Sequence, residues 1–282
     1  MSDDIRAVCV VGWPVEHSRS PLIHNFWIGQ HALKGEYRRE AVKPEEFPAF
    51  VKELAQRGYA GANVTIPHKE VAMTLSEPDD RAQAVGAANT LWFEGDTLRA
   101  TNTDVEGFLA NLDQMAPDWD RGLDDAIVLG AGGASRAIVY GLLSRGVKTV
   151  RVANRTFARA ESLRERFGSK VKPAAWDEVG GLLAGTGLLV NTTSLGMKGQ
   201  SALDLRLEDL RKSAVVADIV YSPLITPLLR EAKDLGLRYA DGLGMLLHQA
   251  VRGFSLWFGV KPEVTPELRK MVEDDPTKPK PE

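Results

Sequence analysis

Short apolar runs of strand length alternate with stretches of helical spacing through the N-terminal part of the chain. Runs at 7–11 and 61–65 read as strands, and the patterns at 21–30 and 45–57 read as helices, a β-α-β grammar. A different signal follows, in which 88–93 and 97–101 flank Glu94-Gly95-Asp96, whose glycine and aspartate suit a tight hairpin turn. That hairpin is expected to close the first sheet.

A second alternating series begins near Asp125. Its first member, Ala126-Ile127-Val128-Leu129, is continuously apolar, as expected of a parallel strand covered on both faces. Further strands are expected at 149–153, 188–191, 215–219 and 238–240, with helices at 135–145 and 157–167, which together read as a doubly wound sheet. After Asp241-Gly242 the apolar positions Met245, Leu246, Ala250, Phe254 and Trp257 recur near helical spacing and predict a long C-terminal helix. The charged, proline-rich segment 274–282 reads as a disordered tail.

Composition narrows this picture. A chain of 282 residues, 44% of them hydrophobic, is comfortable as two domains, each with its own core. The 35 basic and 38 acidic residues nearly cancel and form no basic block, which argues against nucleic acid as a partner. Cys9 lies in an apolar run and has no second cysteine to pair with, so it reads as a small buried hydrophobe suited to a reducing cytoplasm. The acidic start Met1-Ser2-Asp3-Asp4 is unlike a secretory leader, and no apolar run reaches the length of a membrane span.

Candidate chemistry falls into two groups. Gly130-Ala131-Gly132-Gly133-Ala134-Ser135 comes directly after a buried-strand pattern and directly before a helical one, the context that makes a glycine pattern a dinucleotide loop. Its glycines allow a tight turn and let backbone N–H groups approach a pyrophosphate at the helix's positive end. At the end of the second strand, where a carboxylate would hold the ribose of NAD, the chain has Asn154-Arg155-Thr156. Arg155 offers a planar fork to a 2′-phosphate and Arg159 a second cation, which favours NADP; the alternative is two solvated surface arginines.

The second group lies in the N-terminal part. In His17-Ser18-Arg19-Ser20-Pro21, Ser20 is placed as a helix N-cap with Pro21 as first helical residue, while Ser18 beside it completes a neutral hydroxyl cradle for a small carboxylate. Asn63-Val64-Thr65-Ile66-Pro67-His68-Lys69 reads as a strand end running into a helix, with Lys69 in the first turn, where the helix dipole and partial burial favour proton exchange near neutrality. His68 is an equally legible proton carrier, and sequence does not rank the two. Asn89 opens one hairpin strand and Asn102-Thr103-Asp104 closes the other, so these polar groups are expected near one another at one sheet edge. No metal-ligand spacing is present.

Taken together, these motifs resemble the shikimate dehydrogenase family. The resemblance runs from Val11-Gly12 to Trp257-Phe258-Gly259 and includes Ala88-Asn89-Thr90, Asn191-Thr192-Thr193-Ser194-Leu195-Gly196-Met197, Asp218-Ile219-Val220-Tyr221 and Asp241-Gly242-Leu243-Gly244-Met245-Leu246-Leu247-His248-Gln249. It implies an α/β architecture of two domains with a cleft between them. One is a substrate domain of residues 1–104, completed by C-terminal helices at 243–273; the other is a Rossmann-type NADP-binding domain at 105–242. It further implies that Ser18, Ser20 and Tyr221 meet the substrate carboxylate, and that Thr65, Lys69, Asn89, Asp104 and Gln249 meet its hydroxyls and ketone. Lys69 is implied as the catalytic residue and Asp104 as its partner. Asp80, Gly130, Ala131, Gly132, Gly133, Ala134, Asn154, Arg155, Thr156, Arg159, Thr192, Ile219 and Gly242 are implied on the cofactor side. Many relatives carry Phe where this chain has His68, which weakens a catalytic role for that histidine.

The implied activity is NADPH-dependent reduction of 3-dehydroshikimate to shikimate, a step of aromatic amino acid biosynthesis, in a cytoplasmic monomer or homodimer. A dual quinate/shikimate dehydrogenase and a non-catalytic metabolite-binding relative are the alternatives. Folate-linked dehydrogenases share a similar plan but fit the serine pair and Asn102-Thr103-Asp104 poorly.

Overall fold

The computed structural model describes residues 5–275. The chain divides into two compact units, one drawn from residues up to Thr103 and from Leu247 onward, the other Asp104–Leu246.

The first unit runs β1 (Arg6–Gly12), α1 (Ser20–Gln30), β2 (Gly35–Ala41), α2 (Phe47–Lys52), β3 (Tyr59–Val64), α3 (Lys69–Thr74), β4 (Glu77–Pro78), α4 (Asp80–Val85), β5 (Thr90–Glu94) and β6 (Thr97–Thr101). From the far end of the chain it receives the second part of α10 (Gly242–Phe258) and α11 (Pro266–Glu273). Its six-stranded sheet has the order β2-β1-β3-β5-β6-β4. β1 pairs parallel with β2 and β3, while β5 runs antiparallel to both β3 and β6. The hairpin forms as its turn residues predict, with Glu94 opposite Thr97 and Gly95 at φ 59°, a conformation glycine adopts without steric cost.

Alternation along β1 decides which side chain enters which layer. Ala7, Cys9 and Val11 pack with Phe47, Phe50, Leu54 and Leu91. An aromatic cluster forms around His24, which stacks on Tyr37 at 4.2 Å and approaches the rings of Trp27, Phe254 and Trp257. Burial pushes His24 down to about 3, so the ring is a neutral core residue. Trp257 is fixed by its indole N–H, which donates to the Leu91 carbonyl at 2.8 Å. β2 is absent from the sequence expectation because Glu36, Arg38, Arg39 and Glu40 break any apolar alternation; it is an edge strand whose one fully buried side chain is Tyr37.

The second unit comprises α5 (Asp104–Met115), β7 (Asp125–Leu129), α6 (Gly133–Ser144), β8 (Thr149–Ala153), α7 (Phe157–Phe167), β9 (Val171–Ala174), α8 (Val179–Leu182), β10 (Leu188–Asn191), β11 (Val215–Asp218), α9 (Pro227–Asp234), β12 (Arg238–Ala240) and the start of α10. All its strands are parallel, in the order β12-β11-β10-β7-β8-β9. Successive strands therefore wind outward from β7 on one side and from β10 on the other, and the chain reverses its winding between those two strands. Ala126 and Val128 face one core with Leu112, Ile138 and Leu142, whereas Ile127 and Leu129 face the other with Leu183 and Leu229. Helices covering both faces explain why β7 reads as unbroken apolar sequence. β9 escapes that signature because Lys172 and Pro173 interrupt it, which an edge strand tolerates.

Of the segment 274–282, expected to be disordered, Asp274 closes α11 and Asp275 is buried, 3.7 Å from the Arg19 guanidinium. A charged residue is retained there by its ion partner, which composition alone does not reveal. Residues 276–282 lie outside the described residues.

Candidate active site

In the first unit, strand direction gathers the candidate side chains. β1 and β3 are parallel, so the segments after Gly12 and Val64 leave the sheet at the same end. β5 is antiparallel to β3, which brings its start to that end, with Thr90 opposite Asn63. β6 is antiparallel to β5, so its exit arrives there too, with Thr101 opposite Thr90. The Ser18 loop, Thr65, Asn89 and Thr103 consequently converge on one edge. Backbone bonds tie them there: the Val64 N–H donates to the Asn89 carbonyl at 2.8 Å, the Thr65 N–H to Val11 at 2.9 Å, and the Ala88 N–H to Lys69 at 2.9 Å.

Asn89 and Thr103 meet as the hairpin reading expects. The Asn89 Oδ1 accepts from the Thr103 backbone N–H at 2.8 Å, and the Asn89 Nδ2 donates to the Thr103 Oγ1 at 3.0 Å. Gln249, from α10, joins them, its Oε1 accepting from the Asn89 Nδ2 at 3.4 Å and the Thr103 Oγ1 at 3.3 Å. Asn89 and Gln249 are both buried, which fixes a set of amide and hydroxyl groups suited to reading hydroxyls of a small polyol. Asp104 is buried at the first position of α5, one residue beyond Thr103, and belongs to the second unit.

The serine pair differs from expectation in one respect. Ser20 is not an N-cap: Arg19 already has helical dihedrals, α1 begins at Ser20, and no side chain caps it. The Ser20 hydroxyl instead lies 3.3 Å from that of Ser18, which is half-buried. The Ser18 hydroxyl also accepts from the Ser20 backbone N–H at 3.4 Å, at the first residue of α1. Arg39, from the unrecognised edge strand, holds this loop: its Nη2 and Nε donate to the Ser18 carbonyl at 2.7 and 3.0 Å. A cation at the neutral cradle was invisible in sequence because β2 was.

Lys69 is half-buried at the first position of α3, after a Thr65 to His68 turn containing a cis Ile66–Pro67 peptide. Pro67 precedes the helix rather than opening it. Packing accounts for His68 without a catalytic role. His68 is buried, its Nε2 lies 2.7 Å from the Val42 carbonyl, and its ring stacks on Phe47 at 4.2 Å. Burial lowers its pKa, and a ring held on one face and at one nitrogen is a structural strut. Asp80 is exposed at the start of α4, whose cap is the neighbouring Asp79, accepting from the Ala82 N–H at 2.8 Å.

In the second unit, the glycine loop leaves β7 where the winding reverses. Gly130 has φ 102°, and a Cβ there would meet the Thr192 Oγ1 at 2.7 Å, so the position requires glycine on both counts. Gly132 and Gly133 have open space where side chains would project, room for a phosphate to approach the backbone. The Ala131 N–H is held by the Asn154 Oδ1 at 3.2 Å, and the Gly132 N–H by the Ser135 Oγ at 3.1 Å, which in turn lies 2.6 Å from the Thr192 Oγ1. One cleft is lined by Gly130, Ala131, Gly132, Asn154, Arg155 and Thr192, with Trp176 and Thr193 to Leu195 completing it. Arg155, Thr156 and Arg159 are exposed, with Thr156 at the N-cap position of α7 and its carbonyl accepting from the Asn154 Nδ2 at 2.9 Å.

Ile219 and Tyr221, both half-buried, follow β11, and the backbone at Ile219 and Val220 abuts Gly242 at the start of α10 so closely that a Cβ on that glycine would overlap it. Asp218, to which the motif reading gave no role, is 2% exposed beneath these loops. Burial raises its pKa to about 6 against three hydrogen bonds that lower it. The folded state therefore favours the neutral acid. Its stabilising contribution is present below the unfolded value near 4 and is lost as pH rises through about 6, a swing of about 3 kcal/mol. Asp218→Asn cannot ionise, so urea unfolding should find its stability relative to the unaltered protein rising by up to about that amount between pH 4 and pH 7. A difference independent of pH would mean the carboxylate is not held against burial.

A glycine loop at the point of reversal of a six-stranded parallel sheet, with an arginine in place of the usual carboxylate at the next strand, defines the class: an α/β protein built around a dinucleotide-binding unit. A model of the shikimate dehydrogenase substrate binding domain matches residues 10–91, one of shikimate / quinate 5-dehydrogenase matches 120–219, and one of the shikimate 5′-dehydrogenase C-terminal domain matches 242–266. The chain belongs to the shikimate dehydrogenase family. It is 63% identical over 270 residues to a shikimate dehydrogenase (NADP(+)) of Nitrobacter winogradskyi, covering 96% of each chain, and 61% identical to one of Rhodopseudomonas palustris, covering 96% of this chain and 97% of that one. Among solved structures, it resembles shikimate 5-dehydrogenase from Thermus thermophilus in complex with NADP(H) and shikimate, with a TM-score of 0.82 and 36% identity over 95% of this chain and 98% of that one. It also resembles quinate dehydrogenase from Corynebacterium glutamicum in complex with NAD, with a TM-score of 0.89 but 27% identity, over 95% of this chain and 99% of that one.

Proposed function

We propose that this chain reduces 3-dehydroshikimate to shikimate with NADPH, in the pathway to aromatic amino acids. The observation that carries this reading is the convergence of Ser18, Ser20, Thr65, Asn89 and Gln249 on one sheet edge, with Lys69 tied to the same edge through its backbone. A ring bearing one carboxylate, several hydroxyls and a ketone satisfies that set of groups. Ser18, Ser20 and Tyr221 take the carboxylate. Thr65, Asn89 and Gln249 take hydroxyls, and a ligand lacking those hydroxyls forgoes the corresponding hydrogen bonds.

NADPH, when bound, supplies the hydride. The residues present fit it: N–H groups at the first turn of α6 with open space above Gly132 and Gly133, and an exposed Arg155 on the same cleft. Gly130, Ala131, Gly132, Gly133 and Ala134 hold the pyrophosphate, Asn154, Arg155, Thr156 and Arg159 the 2′-phosphate end, and Thr192, Ile219, Gly242 and Asp80 the remainder. Lys69 delivers the proton to the oxygen of the former ketone, and Asp104 orients its ammonium. We place the protein in the cytoplasm as a monomer or homodimer with no nucleic-acid partner; among the described residues no helix is long and apolar enough to cross a membrane.

The rival reading is a quinate or dual-specificity dehydrogenase, which the fold similarity to the Corynebacterium enzyme keeps in view. The arginine corner and the much higher identity to shikimate dehydrogenases weigh against it. Reduced-nicotinamide absorbance should be followed with shikimate or quinate, each against NADP and NAD. Shikimate with NADP is expected to exceed every other pair by about 10-fold or more in kcat/KM, since a single charged recognition contact carries 1.5–3 kcal/mol or roughly 10- to 150-fold. Quinate with NAD as the best pair would overturn the assignment.

A further inference from the structure

We infer that Asp218 is a positioning residue for the nicotinamide half of the cofactor, holding the loop after β10 and the loop after β11 in fixed register; this rests on the NADP reading above. The carboxylate reaches three segments at once. Its Oδ1 accepts from the Asn191 Nδ2 at 3.0 Å and from the Val220 backbone N–H at 3.0 Å, and its Oδ2 accepts from the Thr226 Oγ1 at 2.7 Å.

Each partner carries a loop. Asn191 ends β10 and turns the chain that follows, its Oδ1 accepting from the Thr193 N–H at 3.0 Å and its Nδ2 donating to the Leu195 carbonyl at 3.1 Å. Thr192, Thr193, Ser194 and Leu195 line the cleft of the glycine loop. Val220 lies between Ile219 and Tyr221, on the backbone that abuts Gly242. Thr226 is the N-cap of α9, accepting from the Leu229 N–H at 3.3 Å, so it anchors the far end of the same loop to a helix. The two loops are further stitched where the Lys198 N–H donates to the Ser222 carbonyl at 2.9 Å. A buried acid with these partners is a costly way to stabilise a fold, since its ionised form is disfavoured there, but an effective way to set two loops against each other. The adenosine end, at Asn154 and Arg155 after β8, is separated from β11 by β10 and β7, and Asp218's hydrogen bonds go to Asn191, Val220 and Thr226.

That asymmetry supplies the test. In Asp218→Ala, the KM for NADPH is expected to rise about 10-fold or more and kcat to fall, while inhibition by adenosine 2′,5′-bisphosphate, which lacks the nicotinamide half, stays within about 2-fold. Asp218→Asn keeps an acceptor for Asn191 and Val220 and should restore NADPH KM to within about 3-fold. Should the alanine variant fail to fold, Thr226→Val, which keeps the volume but removes both the donor to Asp218 and the α9 N-cap acceptor, should raise NADPH KM by about 3- to 10-fold with the bisphosphate again unaffected, and Thr226→Ser, which keeps the hydroxyl, should not. Equal weakening of both ligands, or a folded Asp218→Ala with normal NADPH KM, would overturn the role. If the unaltered protein binds neither ligand, the cofactor reading fails and takes this role with it, a result distinguishable because it precedes any variant.

Discussion

Lys69→Ala is expected to lower kcat for 3-dehydroshikimate reduction by about 1,000-fold, with the substrate KM kept within a few-fold, because a positioned proton donor contributes 100- to 10,000-fold to such a step. The substrate's carboxylate and hydroxyls would still be met by Ser18, Ser20, Asn89 and Gln249, so binding should survive the loss of one amine. Folding should survive as well: the backbone of Lys69, not its side chain, accepts the Ala88 N–H that ties α3 to the hairpin. A His68→Phe variant is the natural comparison, since His68 stacks on Phe47 and a phenyl ring keeps that contact. It is expected to retain kcat within about 3-fold, losing one hydrogen bond worth about 1 kcal/mol of stability. Steady-state kinetics of the two variants side by side decide the matter. Near-normal turnover by Lys69→Ala would remove that residue from proton transfer.

Arg155→Asp is expected to raise the KM for NADPH by about 100-fold while leaving that for NADH within a few-fold. The estimate joins the loss of a charge-assisted hydrogen bond, worth 1.5–3 kcal/mol, to repulsion between the new carboxylate and the 2′-phosphate. Arg155 is exposed on the cleft of the glycine loop, so its replacement leaves the core of the unit untouched. Raising salt should weaken NADPH binding by the unaltered protein more than by the variant, because screening acts on the ion pair. Equal rises in KM for both cofactors would show that residue 155 shapes the loop rather than reading the phosphate.

Much of this is legible in the sequence. Buried strands announce themselves as continuous apolar runs, and 149–153, 188–191 and 238–240 coincide with β8, β10 and β12. Glycines with demanding backbone roles, Gly95 and Gly130, stood out by type and context. Edge strands were lost: one face of β2 meets solvent, and charged residues there carry no periodic signature. With β2 went Arg39, whose hold on Ser18 joins residues 21 positions apart. Asp218 carries no sequence signal because an aspartate closing a strand is ordinary; its weight comes from partners at 191, 220 and 226. The capping assignment for Ser20 failed because the helical turn starts one residue earlier than its proline suggests. For Arg39 the missing information was a contact between distant strands and loops; for Ser20 it was local backbone geometry.

The first unit is discontinuous in sequence, and its sheet is covered partly by Phe254 and Trp257 from the other end of the chain. The order of synthesis is thereby reversed in the order of assembly. As the polypeptide leaves the ribosome, the half that emerges first must wait, one layer uncovered, until α10 is made, whereas the uninterrupted half can settle while translation continues. A nascent chain stalled before Leu247 would hold a finished nucleotide unit attached to an N-terminal half still lacking both its covering helix and Gln249.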